Sequence, residues 1–513
     1  MDPQNKSPRA VYKTVVSRIF LSLYLLLALV LFFAAVWYLG IYGNTGFDSI
    51  LYTLLTKMDG VQVDLVKSYL NLGLSPALII WAVLTLLLFI PWRKRLMLTL
   101  FGKIKCAVFP LSKKAANIFI ASVSSLLIII ASVISGLLEF AYYNINPSTL
   151  YEEYYVDPAS VKITFPEEKR NLIFIYLESM ETTYLSAELG GGTENNLIPE
   201  LYSLAENNTN FSHNDSVGGA YSISGATWTI ASMVAHTSGL PLKPPPGVGT
   251  NSYGEDDSEF LPGATSITSI LDKAGYYQTL MVGSDADFGG RKQYYTQHGL
   301  DRVYDLYTAR EDGIIPEDYY VWWGFDDHYL FQYAKEELGK ISKRDEPFSF
   351  TMLTVDTHHI DGYRCPYCDD DYSEQYENVI SCSSRQVYNF VKWIEKQDFY
   401  ENTTIVIVGD HQTMDSEYIK RNVDKNYERH MYNCIINAPV ETDNTKNRHF
   451  GAIDMFPTTL AAIGCTIEGD RLGLGTNLYS ERKTLIEEMG YKKFNSSLAR
   501  ASEFYIKNFY FAE

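Results

Sequence analysis

The chain has 513 residues and a formal net charge of −18, from 43 basic and 61 acidic side chains. This length exceeds that of one ordinary compact domain, so we expect a membrane part followed by one large soluble domain. Residues 1–142 contain 13 Lys or Arg but only 5 Asp or Glu, which leaves the remainder strongly acidic. An acidic soluble part excludes nucleic acid as a partner, because phosphate backbones bind to basic surfaces.

Three uncharged apolar stretches, at 19–41, 74–92 and 116–138, are each long enough to cross a bilayer as a helix. The first is too long for the apolar region of a cleaved signal peptide, and further spans follow it. The segment at 46–59 is too short to span, and it is predicted to lie at the outer interface as an amphipathic piece. Residues 1–141 are therefore predicted to form a membrane domain with three transmembrane helices.

The distribution of basic residues predicts the orientation of these spans. Four basic residues precede the first span and seven lie between the second and third, whereas the loop between the first two has only Lys57 and Lys67. The positive-inside rule places the basic segments in the cytoplasm. We therefore expect everything after the third span to lie outside the cytoplasm.

Residues 142–170 are polar, rich in Tyr and Glu and interrupted by Pro, which predicts a linker. From 171 to 513, apolar β-branched runs alternate with helical patterns. The runs lie at 171–177, 277–283, 347–355, 403–408 and 433–438, and the helices are predicted at 229–238, 383–397 and 454–464. This alternation predicts an α/β domain with a mostly parallel sheet, in which reactive groups gather past the carboxyl ends of the strands.

Polar residues follow two of these apolar runs. Glu178 comes directly after 171–177, and Asp410 and His411 come after the run that begins at 403. Adjacent carboxylate and imidazole groups are suited to a divalent cation with mixed oxygen and nitrogen ligands. Each feature alone also occurs in ordinary loops.

Two further segments are candidates for chemistry. His358 follows the run at 347–355, where it could bind a second metal, donate a proton to a phosphate or leaving group, or lie in a surface turn. Thr227 and Thr229 stand near the start of a predicted helix, a position that favours a phosphoryl group. An ordinary threonine N-cap accounts for the same pattern.

Five of the six cysteines follow the third span. Cys365, Cys368 and Cys382 could be three ligands of a zinc site or could form one local disulfide. The disulfide is favoured, because no fourth ligand is evident and disulfides persist outside the cytoplasm. The aromatic group from Tyr319 to Trp323 could stack against a sugar, but packing is the favoured interpretation.

The order of these motifs resembles the alkaline phosphatase superfamily and, within it, the phosphoglycerol transferase and lipoteichoic acid synthase family. The matching segments are NLIFIYLESMET, GATWTIASM, TVDTHHIDGYRCPYC, IVIVGDHQTM and IDMFPTTLAAIGCTIEGDRLGLGTNL. The last is more similar to glucan-modifying phosphoglycerol transferases than to polymer-forming synthases. The resemblance implies an alkaline-phosphatase-like sheet flanked by helices, in an extracytoplasmic catalytic domain anchored in a bacterial plasma membrane.

Matched residue by residue, the resemblance implies one divalent ion, Mn²⁺ with Mg²⁺ and Zn²⁺ as alternatives. Its implied ligands are Glu178, Thr229, Asp410 and His411. The nucleophile falls within GATWT, and Thr229 is preferred to Thr227 because it opens the helix three positions before Ser232.

The remaining implied residues contact the substrate. His358 matches a phosphate-side histidine with a catalytic and a binding role, and Arg291 matches an arginine that would hold the phosphoglycerol. Asp285 or Asp287 would face the glycerol hydroxyls.

The implied reaction moves phosphoglycerol from phosphatidylglycerol to an envelope glycan or glycerophosphate acceptor through a phosphoglycerol-threonine intermediate. The alternatives are a lipoteichoic-acid-type polymerase, a phosphoethanolamine transferase, and a phosphodiesterase or sulfatase. The sulfatase is disfavoured because no C-x-P-S-R motif opens the helix. The non-enzymatic alternative is an inactive envelope scaffold, which the presence of all four metal-site residues disfavours.

Overall fold

The computed structural model describes residues 8–43, 46–55, 63–89, 96–100, 104–109, 113–243 and 259–511. The chain divides into two compact units. The helical unit comprises Met1–Asn44 and Val61–Glu139, and the α/β unit comprises Thr45–Gly60 and Phe140–Glu513.

The described part of the helical unit contains three helices long and apolar enough to cross a membrane. Their candidate spans are Val15–Tyr42, Val66–Leu86 and Ala116–Ile134. The third helix ends at Ile134, four residues before the predicted end of its span, because the chain turns at Gly136 with a φ of 74°. Residues 90–92 of the predicted second span lie outside the described residues.

Polar side chains join the helices of this unit. The hydroxyl groups of Tyr24 and Ser125 lie 3.0 Å apart, and the indole nitrogen of Trp81 donates to the carbonyl oxygen of Ser22 at 2.9 Å. Each such contact pairs a polar group that an apolar solvent would leave unsatisfied.

A six-stranded sheet forms the centre of the α/β unit. Its strands are β1 Asn171–Leu177, β2 Tyr277–Val282, β3 Arg302–Tyr304, β4 Phe348–Leu353, β5 Thr403–Gly409 and β6 Asn433–Ile436. Their order across the sheet is β6-β5-β1-β4-β2-β3, and every neighbouring pair is parallel except β6 with β5. The predicted mostly parallel α/β sheet is confirmed, although the sequence analysis missed the three-residue edge strand β3.

Both faces of the sheet are covered, as the continuous apolar runs require. Successive side chains of a strand point to opposite faces. In β1, Leu172, Phe174 and Tyr176 therefore join one buried cluster, while Ile173, Ile175 and Leu177 join the other. The sheet therefore separates two apolar cores, one on each of its faces.

Helices flank the sheet on both sides. Those from Pro199 onward are Pro199–Asn207, Thr229–Ser238, Ile267–Lys273, Arg291–Gln297, Leu306–Glu311, Asp327–Ile341, Gln375–Ile394, Ser416–Asn422, Met455–Ala462, Leu485–Met489, Tyr491–Ala499 and Glu503–Tyr505. The helix Thr229–Ser238 has its predicted bounds. The helix Gln375–Ile394 begins eight residues before the predicted 383, since its first turns contain several polar residues that obscure the apolar periodicity.

The predicted linker at 142–170 is a packed part of the α/β unit. Tyr151 is 1% exposed, and its ring lies 5.5 Å from that of Tyr505. The strand Ile163–Thr164 pairs with Thr466–Ile467. The polar composition of this segment concealed the few large side chains that attach it to the core.

In the segment predicted to lie at the membrane interface, 46–59, the helix Phe47–Leu55 belongs to the α/β unit rather than to the membrane domain, and residues 56–59 lie outside the described residues. Tyr52 is 4% exposed and donates a hydrogen bond to the carbonyl oxygen of Gly289 at 2.6 Å. Its ring lies 5.4 Å from that of Trp228. A tertiary contact of this kind cannot be predicted from the hydrophobic periodicity of the segment itself.

Candidate active site

The register of two parallel strands brings the first candidate ligands together. Leu177 of β1 pairs with Gly409 of β5, so Glu178 and Asp410 emerge side by side at the carboxyl edge of the sheet. The backbone N–H of Asp410 donates to the carbonyl oxygen of Leu177 at 3.1 Å. Two residues 232 positions apart in sequence thereby become neighbours.

Glu178, Asp410 and His411 form a buried group whose candidate ligand atoms all lie within 4.8 Å of one another. Nε2 of His411 lies 3.6 Å from Oε1 of Glu178 and 3.4 Å from Oδ2 of Asp410. Nδ1 of His411 lies 2.9 Å from the carbonyl oxygen of Gln412. This contact turns Nε2 toward the carboxylates, as is usual for a histidine that binds a metal.

Several donors hold the two carboxylates. The backbone N–H groups of Ser179 and His411 donate to Oδ1 of Asp410 at 2.8 and 2.7 Å, and the Ser179 hydroxyl donates to Oε1 of Glu178 at 2.8 Å. Oδ2 of Asp410 is buried without a hydrogen-bond partner among the described residues. Two carboxylates and one imidazole, with one buried oxygen left over, fit a divalent cation.

The backbone beside the cluster is strained. Ser179 has a φ of 54°, in the left-handed region that residues other than glycine rarely occupy. Such outliers concentrate at functional sites, where the surrounding structure enforces them. Here the conformation lets the N–H group of Ser179 reach Asp410 while its hydroxyl reaches Glu178.

The charges of this group are strongly coupled. Burial and the charge of Glu178 raise the pKa of Asp410 to about 7. Burial also raises the pKa of Glu178, but the charges of His411 and His358 outweigh it and leave that pKa below its usual value. Burial lowers the pKa of His411, and the two carboxylates outweigh that effect and raise it. A bound cation would offset the repulsion between the two carboxylates.

Thr229 is the first residue of the helix Thr229–Ser238, and its side chain faces the cluster. Its Oγ1 lies 3.3 Å from Oε2 of Glu178 and 3.3 Å from Nε2 of His411. The N-cap residue is Trp228, whose side chain makes no capping hydrogen bond. The N-terminus of this ten-residue helix favours an anion beside Thr229.

Ser232 fixes this helix to the strand edge. Its hydroxyl donates to the carbonyl oxygen of Asp410 and lies 3.1 Å from Nδ1 of His236. Ser232 is fully buried, and its side chain points in the same direction as that of Thr229, one turn earlier. The contact sets the position of the helix relative to the candidate ligands.

Arg291, 6% exposed, lies in a loop and helix start after β2. Its guanidinium donates to the Ser284 hydroxyl at 2.9 Å and to the carbonyl oxygen of Asp285 at 2.7 Å. Burial lowers the pKa of Arg291 to about 10, against the opposing charges of Asp285 and Glu178. The side chain therefore stays cationic at neutral pH, within electrostatic reach of the cluster.

The carboxylates predicted to face glycerol hydroxyls have protein partners. Asp285 accepts a hydrogen bond from the N–H of Asp287 at 2.9 Å and another from the Tyr307 hydroxyl at 3.2 Å. Asp287 is exposed and lies 3.6 Å from the Lys292 amine. Both aspartates thus help to shape the loop that carries Arg291.

His358 is half-buried beyond the end of β4. Its Nδ1 lies 2.8 Å from the carbonyl oxygen of His359, which leaves Nε2 as the atom free to face a substrate. Burial lowers the pKa of His358, and the charge of Glu178 opposes that change. The structure therefore places His358 near the carboxylates but outside the three-residue group.

Two contributors were not identified from the sequence. Glu181 is fully buried, and it accepts hydrogen bonds from the Arg429 side chain at 2.8 Å and from the N–H of Thr413 at 2.8 Å. It thereby ties the segment after β1 to the segment after β5. The position of Glu181 three residues after Glu178 could have identified it, but no local feature of the sequence pointed to its partner Arg429.

The ring of Trp323, for which packing was the favoured interpretation, lies against His358, with 4.6 Å between the two ring centroids.

The three cysteines at 365, 368 and 382 form a second group of potential metal ligands. The sulfur atoms of Cys365 and Cys368 lie 3.8 Å apart, and those of Cys365 and Cys382 lie 3.7 Å apart. A disulfide requires about 2.05 Å. The favoured disulfide is therefore not formed, and all three cysteines are free thiols in the structure.

Comparisons with known proteins agree on the family. The Sulfatase family model matches residues 170–465. A phosphoglycerol transferase I from Xanthomonas euvesicatoria is 31% identical over 288 residues, which is 54% of this chain and 38% of that protein. One from Salmonella arizonae is 32% identical over 272 residues, covering 51% and 33% of the two chains. The chain thus matches about a third of the length of these relatives.

Solved structures with a similar arrangement were also found. A lipoteichoic acid synthase from Listeria monocytogenes matches with a TM-score of 0.49 at 19% identity, over 62% of this chain and 79% of that one. The lipooligosaccharide phosphoethanolamine transferase A from Neisseria meningitidis matches with a TM-score of 0.48 at 15% identity, over 88% and 84%.

Proposed function

This chain belongs to the sulfatase family, and from that premise we propose that it is a membrane-anchored transferase that moves phosphoglycerol from phosphatidylglycerol to an envelope glycan. The similarity to proteins named phosphoglycerol transferase supports the transferred group. The observation that carries the proposal is the position of the Thr229 hydroxyl, 3.3 Å from both Glu178 and His411 at the N-terminus of a helix.

This geometry favours Thr229 over Thr227 as the nucleophile. A divalent ion held by Glu178, Asp410, His411 and the Thr229 oxygen would lower the pKa of that hydroxyl and offset charge on the phosphoryl oxygens. Mn²⁺ is the preferred ion, with Mg²⁺ and Zn²⁺ as alternatives. The helix N-terminus places its N–H groups where the same phosphoryl oxygens would lie.

The reaction takes place in two displacements at phosphorus. In the first, Oγ1 of Thr229 bonds to the phosphorus of phosphatidylglycerol and gives its proton to solvent, while the bond from phosphorus to the diacylglycerol oxygen breaks. His358, in its protonated form, donates a proton to that leaving oxygen. In the second, an acceptor hydroxyl gives its proton to the now neutral His358 and attacks phosphorus, while the bond from phosphorus to Thr229 breaks and Oγ1 takes a proton from solvent. The covalent stage replaces one difficult step by two easier ones.

Two side chains are assigned to the substrates. Arg291 lies close enough to Glu178 for their charges to interact, so its guanidinium can hold a phosphodiester beside Thr229. Trp323 is partly exposed and lies against His358 and Phe288, with ring-centroid distances of 4.6 and 5.4 Å. Its indole is a surface on which an acceptor sugar can stack.

The topology supports access to a lipid donor. The described residues include three candidate spans, and the positive-inside rule applied to the basic residues around them predicts that the chain after the third span lies outside the cytoplasm. The contact of Tyr52 with Gly289 is consistent with this arrangement, because the loop between the first two spans must then be on the same side as the catalytic residues. Labelling of the α/β unit in intact spheroplasts by an impermeant amine reagent tests the orientation.

Mass spectrometry of the trapped enzyme tests the reaction. We expect the full chain, purified in detergent and incubated with phosphatidylglycerol, to carry a phosphoglycerol group on Thr229. The Thr227→Ala variant should carry the same adduct, and the Thr229→Ala variant should carry none. A phosphoethanolamine adduct formed preferentially from phosphatidylethanolamine would replace the proposed donor by the alternative one.

The acceptor is tested separately. With labelled phosphatidylglycerol, glycan addition should divert label from free glycerophosphate to the glycan. Release of glycerophosphate at a rate unaffected by glycan would indicate a phosphodiesterase, and growth of a glycerophosphate chain would indicate a polymerase. Absence of any adduct or bound divalent ion would indicate a scaffold without catalytic activity.

A further inference from the structure

The cluster of three cysteines lies outside the chemistry proposed above. Cys365 and Cys382 are 4% and 1% exposed, and Cys368 is partly exposed. Cys365 and Cys368 belong to one turn, in which the N–H of Cys368 donates to the carbonyl oxygen of Cys365 at 3.1 Å. Cys382 comes from the helix Gln375–Ile394, so the cluster joins a loop to a helix.

The sulfur–sulfur distances match those of a metal site. A tetrahedral zinc ion with Zn–S bonds of about 2.3 Å holds its sulfur ligands about 3.8 Å apart. The two distances of 3.8 and 3.7 Å agree with that value. A disulfide would use two of the three sulfurs and leave the third as an isolated thiol, whereas a metal ion uses all three.

A neighbouring side-chain amide is placed to stabilise these sulfurs as thiolates. Nε2 of Gln386 lies 3.6 Å from the sulfur of Cys365 and 3.5 Å from that of Cys382. Gln386 follows Cys382 by one helical turn, so both side chains lie on the same face of the helix. Outer donors of this kind orient and stabilise ligands around structural metals.

Two buried carboxylates, Asp327 and Asp356, lie near the cluster and interact with the Cys365 thiol. Asp356 is 1% exposed, and its Oδ2 has no hydrogen-bond partner among the described residues. Burial and the charges of Asp327 and Cys365 raise the pKa of Asp356 well above its usual value. Within the described part of the chain, no ion pair includes Asp356 or Asp327. A divalent cation close to these groups would offset their charge.

We propose that Cys365, Cys368 and Cys382 bind a Zn²⁺ ion as thiolates, in a structural site separate from the catalytic cluster. Binding converts three thiols to thiolates and releases their protons, and a water molecule or a carboxylate completes the coordination. The site does not depend on the proposed transfer reaction.

The zinc site would hold the segment that carries His358. Cys365 follows His358 by seven residues, and Cys382 lies in the helix whose Tyr376 hydroxyl is 2.9 Å from the carbonyl oxygen of Thr357 and 2.7 Å from the Thr413 hydroxyl. A metal bridge from Cys365 to this helix closes the segment between them. His358 is thereby positioned from both ends rather than from β4 alone.

The test measures metal content and thiol state in the full chain purified without chelator or reductant. We expect about one zinc per chain in the wild type. The Asp410→Asn variant, which alters only the catalytic cluster, should retain this zinc. The Cys382→Ser and Cys368→Ser variants should lose it, and Cys434→Ser, which removes a buried thiol of β6, should retain it. Cys368 is the more exposed, so its variant remains informative if Cys382→Ser fails to fold.

Cobalt gives an independent readout. Co²⁺ exchanged into the wild type and into Asp410→Asn should show intense thiolate-to-metal charge-transfer absorption, which Cys368→Ser should lack. A disulfide between two of the three cysteines, mapped by mass spectrometry of the unreduced chain, would overturn the proposal. Three alkylatable thiols that take up neither zinc nor cobalt would also overturn it.

Discussion

The two groups of potential ligands in the α/β unit differ in how they are assembled. Glu178 and Asp410 come from strands more than 200 residues apart and meet only through the register of β1 and β5. Cys365, Cys368 and Cys382 lie within 18 residues and meet through one turn and one helix. The first group consists of oxygen and nitrogen ligands, and the second consists of sulfur alone.

The two ligand groups are therefore suited to different roles, one catalytic and one structural. A site at the edge of a buried sheet is held rigidly on all sides, which suits a reacting ion and a nucleophile that must keep their geometry. A site between a loop and a helix fixes the distance between the two elements, which suits a structural ion. Soft thiolates favour zinc, which has no redox chemistry, whereas carboxylates with imidazole accept Mn²⁺ or Mg²⁺ as well.

Loss of the nucleophile should have the largest effect and should affect only the catalytic cluster. We expect Thr229→Ala to lower transfer by at least about 10³-fold, because the covalent route is closed. Zinc content should not change. Thr227→Ala is the matched control, and if it abolished transfer while Thr229→Ala remained active, the assignment of the nucleophile would be wrong.

Removal of a carboxylate from the catalytic cluster should show that the two metal sites bind their ions independently. Glu178→Gln should lose the divalent ion of the catalytic cluster and should lower activity more than the roughly 10–100-fold typical of an outer partner. Elemental analysis should still find zinc at the cysteines. Simultaneous loss of both metals would show that the two groups are not independent.

The buried ion pair beneath the catalytic cluster should control stability. Arg429→Met leaves Glu181 buried without its cation, which costs about 3–5 kcal/mol and lowers the Tm by on the order of 10 °C. The double variant Glu181→Leu with Arg429→Met should recover part of this loss, since no charge is then left unpaired. A Tm of the single variant equal to that of the wild type would contradict the assigned role.

Loss of a zinc ligand should have a smaller effect, confined to the region around His358. We expect Cys382→Ser to lower the Tm by roughly 5 °C, corresponding to about 2 kcal/mol. Scanning calorimetry against Cys434→Ser separates the loss of metal from the loss of one buried thiol. A larger decrease in Cys434→Ser would indicate packing rather than metal binding.

The smallest expected effect concerns the acceptor. Trp323→Ala should raise the KM for glycan by about 10-fold, equivalent to about 1.4 kcal/mol of stacking. Formation of the threonine adduct from phosphatidylglycerol should be unchanged, and Trp322→Ala is the neighbouring control. Equal KM values in the wild type and in Trp323→Ala would assign this indole to packing.

The sequence by itself determined the α/β class and the approximate positions of its main strands, because runs such as NLIFIYL and TTIVIVG are mostly apolar and β-branched, as is typical of strands buried on both faces. It also singled out Glu178, Asp410 and His411, because polar residues directly after such runs must lie at the edge of the sheet. The resemblance to a known family then supplied an interpretation, which the match of the Sulfatase model confirmed at the level of the family.

Only the tertiary structure decided which groups meet. The contact of Tyr52 with Gly289, the pairing of Glu181 with Arg429 and the position of Trp323 against His358 all join residues distant in sequence. Local pattern reports the environment of one segment at a time, whereas these contacts depend on the order of the strands and the path of the loops between them. For the same reason, the separation of the three sulfurs, which is too large for a disulfide, could not be read from the spacing of the cysteines.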